Sequence, residues 1–172
     1  MKNISKHTYF IVQSGIIAAL YAGLTYLSGL LMLSYGAVQF RFSEALTILP
    51  IFTPAAIPGL AIGCFLGNLG SPFGIVDIVC GTLATLLAAL CSRAVRNVKI
   101  KGFPVLAPLM PVIFNALIIG AEIASFSAKG TRWTVFWISA LEVGLGEIVV
   151  CYIFGFLLFK AFESSNLEKM LK

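Results

Sequence analysis

Charge is what this 172-residue sequence has least of. Lys, Arg, Asp and Glu together make up 11% of it, under half of the roughly 25% found in soluble chains. A soluble domain of this length must cover its outside with polar groups, and so few charges cannot do that. Histidine is nearly missing: His7, in the N-terminal tail, is the single one. That excludes a Ser–His arrangement and an H-E-x-x-H metal site. No G-x-x-x-x-G-K-[ST] string occurs, so the chain has no P-loop for ATP. The four cysteines, Cys64, Cys80, Cys91 and Cys151, fall in or beside apolar runs without a C-x-x-C pair. They read as buried free thiols rather than metal ligands or a disulfide framework. No metal, no cofactor and no catalytic activity are expected.

What fills the sequence instead is apolar: 59% of the residues belong to the AVILMFWYC set. At about 20 residues per span, the length holds five or six transmembrane helices and almost nothing else. The runs divide into helices at about 8–27, 43–52, 54–70, 74–92, 104–127 and 134–162. Thr53-Pro54 separates the second from the third, because a residue before proline resists the helical conformation. Gly70-Ser71-Pro72 marks the next turn. The first run is too long for the apolar region of a signal peptide and is expected to be a retained helix. Segment 28–42 is too apolar for a solvated loop and is expected to fold over the bundle. The fold expected is an all-α membrane protein, one six-helix transmembrane bundle forming a single domain over residues 1–172.

The net charge of +5 does not signal nucleic acid, since no aromatic residues alternate with the bases. Its placement signals orientation. Lys2, Lys6, Arg93, Arg96, Lys99, Lys101, Lys160, Lys169 and Lys172 share one side of a six-helix chain; Arg41, Lys129 and Arg132 take the other. Bases collect on the cytoplasmic side, which places both termini there. Trp133 and Trp137 then sit at the outer aromatic belt.

Five acids lie at or within the spans: Glu44, Asp77, Glu122, Glu142 and Glu147. An ionisable group at mid-membrane costs on the order of 2.5–3.5 kcal/mol, so its default reading is functional. Glu44 and Asp77 start helices and have an alternative use as N-terminal charges against the helix dipole; Glu147 has one in helix–helix bonding. Asn115 and Glu122 are seven residues apart and share a helix face, Ser139 shares one with Glu142, and Asn68, Gln39 and Arg41 stand nearby in sequence order. Together these residues predict a pocket open to the outside for a small molecule with hydrogen-bond donors or positive charge. Small residues form ladders: Ser14, Ala18 and Ala22 beside Gly15, Ala19 and Gly23 on the first helix; Gly59, Gly63 and Gly67 on the third; Gly81, Thr85 and Ala89 on the fourth. Such ladders let helices approach closely. The third helix's ladder reads as packing within the bundle, and the first helix has one ladder more than a single neighbour needs.

No duplication into inverted halves is evident, although many secondary transporters show one. The strings Gly36-Ala37-Val38-Gln39-Phe40-Arg41-Phe42-Ser43-Glu44-Ala45-Leu46, Leu49-Pro50, Thr53-Pro54-Ala55-Ala56-Ile57-Pro58-Gly59-Leu60, Gly67-Asn68-Leu69, Asp77-Ile78-Val79-Cys80-Gly81-Thr82-Leu83-Ala84-Thr85-Leu86, Phe114-Asn115-Ala116-Leu117 and Gly146-Glu147 resemble the QueT family. Those proteins are substrate-binding S-components of energy-coupling factor (ECF) type ABC transporters, assigned to queuosine precursors. The resemblance implies six helices, both termini cytoplasmic in a bacterial cell membrane, and a pocket under the first long loop. It implies as partners a transmembrane coupling protein and two cytoplasmic ATPases, with Ala18 and Ala22 matching the docking pattern of the first helix. Gln39, Arg41, Glu44, Asn68, Asp77, Asn115, Glu122 and Glu142 are the substrate-binding candidates. A 7-deazaguanine bearing an aminomethyl group suits two carboxylates plus amides; a cobalamin-type corrinoid is the alternative cargo. A self-sufficient ion-coupled carrier or channel and a lipid-modifying membrane enzyme are the readings from other classes.

Overall fold

The computed structural model describes residues 5–33 and 39–165. Its described residues form six helical stretches, numbered here in chain order: α1 (Lys6–Leu30), α2 (Phe42–Ile51), α3 (Ala56–Gly70), α4 (Ile75–Ala94), α5 (Leu109–Ser125) and α6 (Arg132–Ser164). No strand occurs among them. Of the six, α1, α4 and α6 are long and apolar enough to cross a membrane, and α2, α3 and α5 are shorter apolar helices.

The boundaries have local causes. Ser5 caps α1, accepting from the Thr8 amide at 3.1 Å; His7 therefore lies in the first turn rather than in a free tail. Gly74 precedes α4 at φ +66°, a conformation in which a Cβ would be strained. The expected start of the fifth helix at 104 moves to Leu109. Pro104 and Pro108 supply no amide donors there, so the chain turns until Pro111 falls harmlessly in the first helical turn.

The short second helix is wound as a 3-10 helix with residues 43–50 all buried. At about 2.0 Å rise per residue, ten residues reach about 20 Å, a third further than an α-helix of the same length. Its threefold repeat also stacks Arg41, Glu44 and Thr47 along one edge. In α6, a π-helical stretch at Val149–Phe154 begins two residues after Glu147 and carries Cys151. Such wide turns are frequent where a side chain must be re-aimed.

A polar seam joins α1 to α2. The Phe42 amide donates to Ser28 Oγ (3.0 Å), Thr25 Oγ1 to Ser43 Oγ (2.8 Å) and the Tyr21 hydroxyl to Glu44. Further along, Ser14 donates to the Ala55 carbonyl (2.9 Å) and Thr53 to Gln13 Oε1 (3.1 Å). Between these bonds pack Ile17, Tyr21, Leu46, Leu49, Leu60 and Cys64, the main apolar core.

The ladder on α3 faces α1, as expected. A Cβ on Gly59 would strike the Ser14 carbonyl and Ile17, one on Gly63 would strike Tyr21 and the Ala18 carbonyl, and one on Gly67 would strike Thr25. This corrects the expectation for Ala18 and Ala22. Both are buried, on the face that α3 covers, and present no free surface. The uncovered ladder is Gly15, Ala19 and Gly23, all exposed, with open space above both glycines. A second correction concerns the thiols: Cys64 and Cys151 are buried, but Cys80 and Cys91 are only partly so.

Candidate functional site

Six of the eight site residues expected from the sequence are buried, and hydrogen bonds sort five of them into two connected groups. In the first, Arg41 immediately precedes α2 and reaches across to the start of α4. Its Nη2 lies 3.7 Å from Asp77 Oδ2, and its Nη1 donates to Asn68 Oδ1 at 3.5 Å. Asn68 ends the regular part of α3 and donates through Nδ2 to the Asp77 carbonyl (3.2 Å) and to Cys64 Sγ (3.6 Å). It fits because Gly81 opposite has no side chain; a Cβ there would collide with Asn68 Nδ2. Asp77 thus serves as an ion-pair partner deep in protein, not as an exposed charge at a helix end.

The second group lies one turn further along α2. Glu44 accepts from the Tyr21 hydroxyl with Oε1, and its Oε2 has no partner among the described residues. Asn115 on α5 donates to Glu147 Oε1 on α6 at 2.9 Å. The Cys151 thiol approaches both Glu147 Oε2 (3.3 Å) and the Glu44 carbonyl (3.7 Å), so α2 and α6 meet over these atoms. Close approach of α5 and α6 is set by Gly120, where a Cβ would press on Ala140.

Glu122 stands on the Asn115 face of α5, is 5% exposed, and has no partner for either carboxylate oxygen among the described residues. Gln39 belongs to the site by its backbone: a Cβ at Gly146 would overlap the Gln39 carbonyl, so the chain entering α2 lies directly on α6. The rest of the long connection, 34–38, lies outside the described residues, and with it the expectation of a loop folding over the bundle. Glu142 is half-buried, and no hydrogen bond or ion pair links it to either group. Ser139, which was expected to share its face, is buried while Glu142 is not fully so.

Sequence reasoning missed Tyr21 as a site residue and left Glu147 between functional and structural. The signal for Tyr21 was there: Ser14, Tyr21 and Ser28 recur every seven residues and share one helix face.

Electrostatically the site is lopsided. Glu44, Asp77, Glu122 and Glu147 are all buried, and Arg41 is the one buried base among the described residues. Arg41 is engaged by Asp77. A desolvated carboxylate without a partner is costly unless a proton or a cation meets it. Among the described residues no group of three or more His, Cys, Asp and Glu is arranged to hold a metal ion. Carboxylates and amides so placed are good hydrogen-bond partners for cations and for N–H donors.

Three apolar helices of membrane-crossing length around buried acids mark an integral membrane protein. The sequence pattern of the QueT transporter family matches residues 11–164, and the chain belongs to that family. Over 80 residues it is 45% identical to the queuosine precursor transporter QueT of Lactococcus lactis subsp. cremoris (strain MG1363), covering 46% of this chain and 47% of that protein. The aligned stretch thus spans about half the length of that relative. No solved structure matches the chain.

Proposed function

We propose that this protein is the substrate-binding membrane subunit of an ECF-type ABC transporter and takes up a queuosine precursor, a 7-deazaguanine carrying an aminomethyl group. The observation that carries the reading is the buried excess of carboxylates over the single guanidinium, with both Glu122 oxygens unpaired. In this reading Glu122 holds the ammonium of the substrate. Asn68, Asn115 and Gln39 read the edge of the ring, and Arg41 fixes Asp77 and Asn68 in place. Glu44 and Glu147, tied by Tyr21, Asn115 and Cys151, form the floor. Family membership and the name of the Lactococcus relative support the cargo; the acid content argues against a corrinoid, which is large and amide-rimmed.

In this reading all six helices lie within the bilayer, α2 reaching about 20 Å of the roughly 30 Å hydrocarbon core, with both termini in the cytoplasm. The chain carries no P-loop, so energy comes from partners: a transmembrane coupling protein and two cytoplasmic ATPases. The exposed ladder Gly15, Ala19 and Gly23 is the face that meets the coupling protein, taking the role first assigned to Ala18 and Ala22.

The test is uptake of radiolabelled precursor into vesicles. With the coupling protein and ATPases co-reconstituted, uptake requires ATP inside the compartment facing the ATPases. Uptake by the chain alone, driven by an ion gradient, would instead identify a self-sufficient carrier.

A further inference from the structure

A second concentration of charge lies at the end of the bundle away from the site. Arg93 stands in the last turn of α4, Arg96, Lys99 and Lys101 follow its close, and Lys160 comes from α6. The single ion pair among the described residues is that of Arg41 with Asp77, so none of these bases is held in an ion pair there. Arg93 donates to the Pro50 carbonyl at 2.8 Å and Arg96 to the Arg93 carbonyl at 3.1 Å. These bonds hold two guanidinium groups side by side at the end of α2.

Two cavities lie here. One, of about 260 Å³, is lined by Phe52, Arg96, Asn97, Lys99 and Phe159, with Glu163 at its rim. The other, of about 280 Å³, is an open groove lined by Phe103, Ile153, Phe156, Leu157 and Lys160. Phe159 and Phe103, whose ring centroids are 6.2 Å apart, form the wall between them. Each ring carries a cation: Lys99 Nζ stands 5.8 Å from the Phe159 centroid and Lys160 Nζ 5.5 Å from that of Phe103. Long basic side chains that lie along apolar surface and keep their heads at its edge mark a boundary between hydrocarbon and water.

We propose that the two cavities together bind one anionic glycerophospholipid, its phosphodiester at Arg96 and Lys99 and an acyl chain in the groove along Ile153, Phe156 and Leu157. The inference rests on the sidedness proposed above only for its leaflet, the cytoplasmic one. Basic pockets at that face take acidic lipid headgroups. A polar, cationic cavity beside an exposed apolar groove, with the Phe103–Phe159 wall between them, matches an amphiphile that lies across that wall. A free phosphate would leave the groove empty, and an acidic peptide offers nothing of acyl-chain shape. Glu163 refines the class: its carboxylate, also in the lining, accepts from a hydroxyl, which favours a glycerol headgroup.

Native mass spectrometry of the full chain released from nanodiscs of mixed phosphatidylglycerol and phosphatidylcholine tests this. The expected result is one retained phosphatidylglycerol, with retention lowered about fivefold for each base removed and roughly 25-fold in R96Q/K99Q. K129Q/R132Q, at the other end of the bundle, leaves it unchanged, and R96K/K99R keeps it. Equal retention of both lipids by the wild-type chain would overturn the proposal, as would unchanged retention in R96Q/K99Q. Displacement of the lipid by millimolar inorganic phosphate would show a simple anion site and overturn the lipid assignment. A double variant that keeps the lipid but loses co-purification with the ATPases would show a protein interface instead.

Discussion

Arg41 and Asp77, one immediately preceding α2 and the other in the first turn of α4, form a buried ion pair at 3.7 Å. Asn68 is bonded to both residues. Breaking such a pair from one side leaves a bare charge in a dry setting and costs about 3–5 kcal/mol, whereas removing both charges costs far less. R41Q is therefore expected to lower the thermal unfolding midpoint of the detergent-solubilised chain sharply, and R41Q/D77N to recover most of the loss. If R41Q alone unfolds at the wild-type temperature, the pair does not organise the site.

Glu122 differs because it has no partner to lose. E122Q removes an unpaired buried charge, so the unfolding midpoint is expected to stay level or rise. Affinity for the amine-bearing substrate should drop. A hydrogen bond to a charged group is worth about 1.5–3 kcal/mol, which corresponds to roughly 10- to 150-fold in the dissociation constant. E142Q, at a residue bonded to neither group, is expected to leave affinity near wild type. Calorimetric titration of both variants decides between the two glutamates, and equal losses would remove Glu122 from its assigned role.

The two ladders of α1 should respond oppositely to bulk. Gly63→Val drives side-chain atoms into Tyr21 and the Ala18 backbone and is expected to destabilise by about 1–3 kcal/mol or more. Ala18→Trp should do likewise. Ala19→Trp, on the open face, should unfold at the wild-type temperature and yet fail to co-purify with the coupling protein. Co-purification of A19W at wild-type yield would sink the docking role of that face.

Sidedness is checked by labelling single cysteines, in a background where the four native ones are replaced, with a membrane-impermeant maleimide on intact cells. Thr131→Cys, before α6, is expected to label from outside, and Val98→Cys, between α4 and α5, only after permeabilisation. The reverse pattern would invert the topology.

Much of this was readable in the sequence. Helix limits lie within a few residues of expectation for α1, α3, α4 and α6, because proline, glycine and the ends of apolar runs mark them. Arg41, Glu44, Asn68, Asp77, Asn115 and Glu122 stood out because polar residues are rare in such a chain, and all six share a bond network or a helix face with another. The 3-10 winding of α2 was not readable. It depends on which carbonyl each amide finds, and composition says little about that; the stacking of Arg41, Glu44 and Thr47 follows from it. Which ladder of α1 turns inward was equally hidden, since Ala18 and Ala19 are chemically alike. The choice falls to the polar seam, where Ser14, Tyr21, Thr25 and Ser28 turn their own face, and Ala18 with it, toward α2 and α3.

The central claim is that the unpaired buried carboxylates select an organic cation. Its most direct measurement is isothermal titration of the purified chain, freed of bound metabolite, with aminomethyl-7-deazaguanine and with the same ring lacking the amine. The account predicts that the amine-bearing compound binds at least about tenfold more tightly and that E122Q abolishes the difference. Equal affinity for the two compounds, or tight binding of cobalamin with which neither competes, would contradict it.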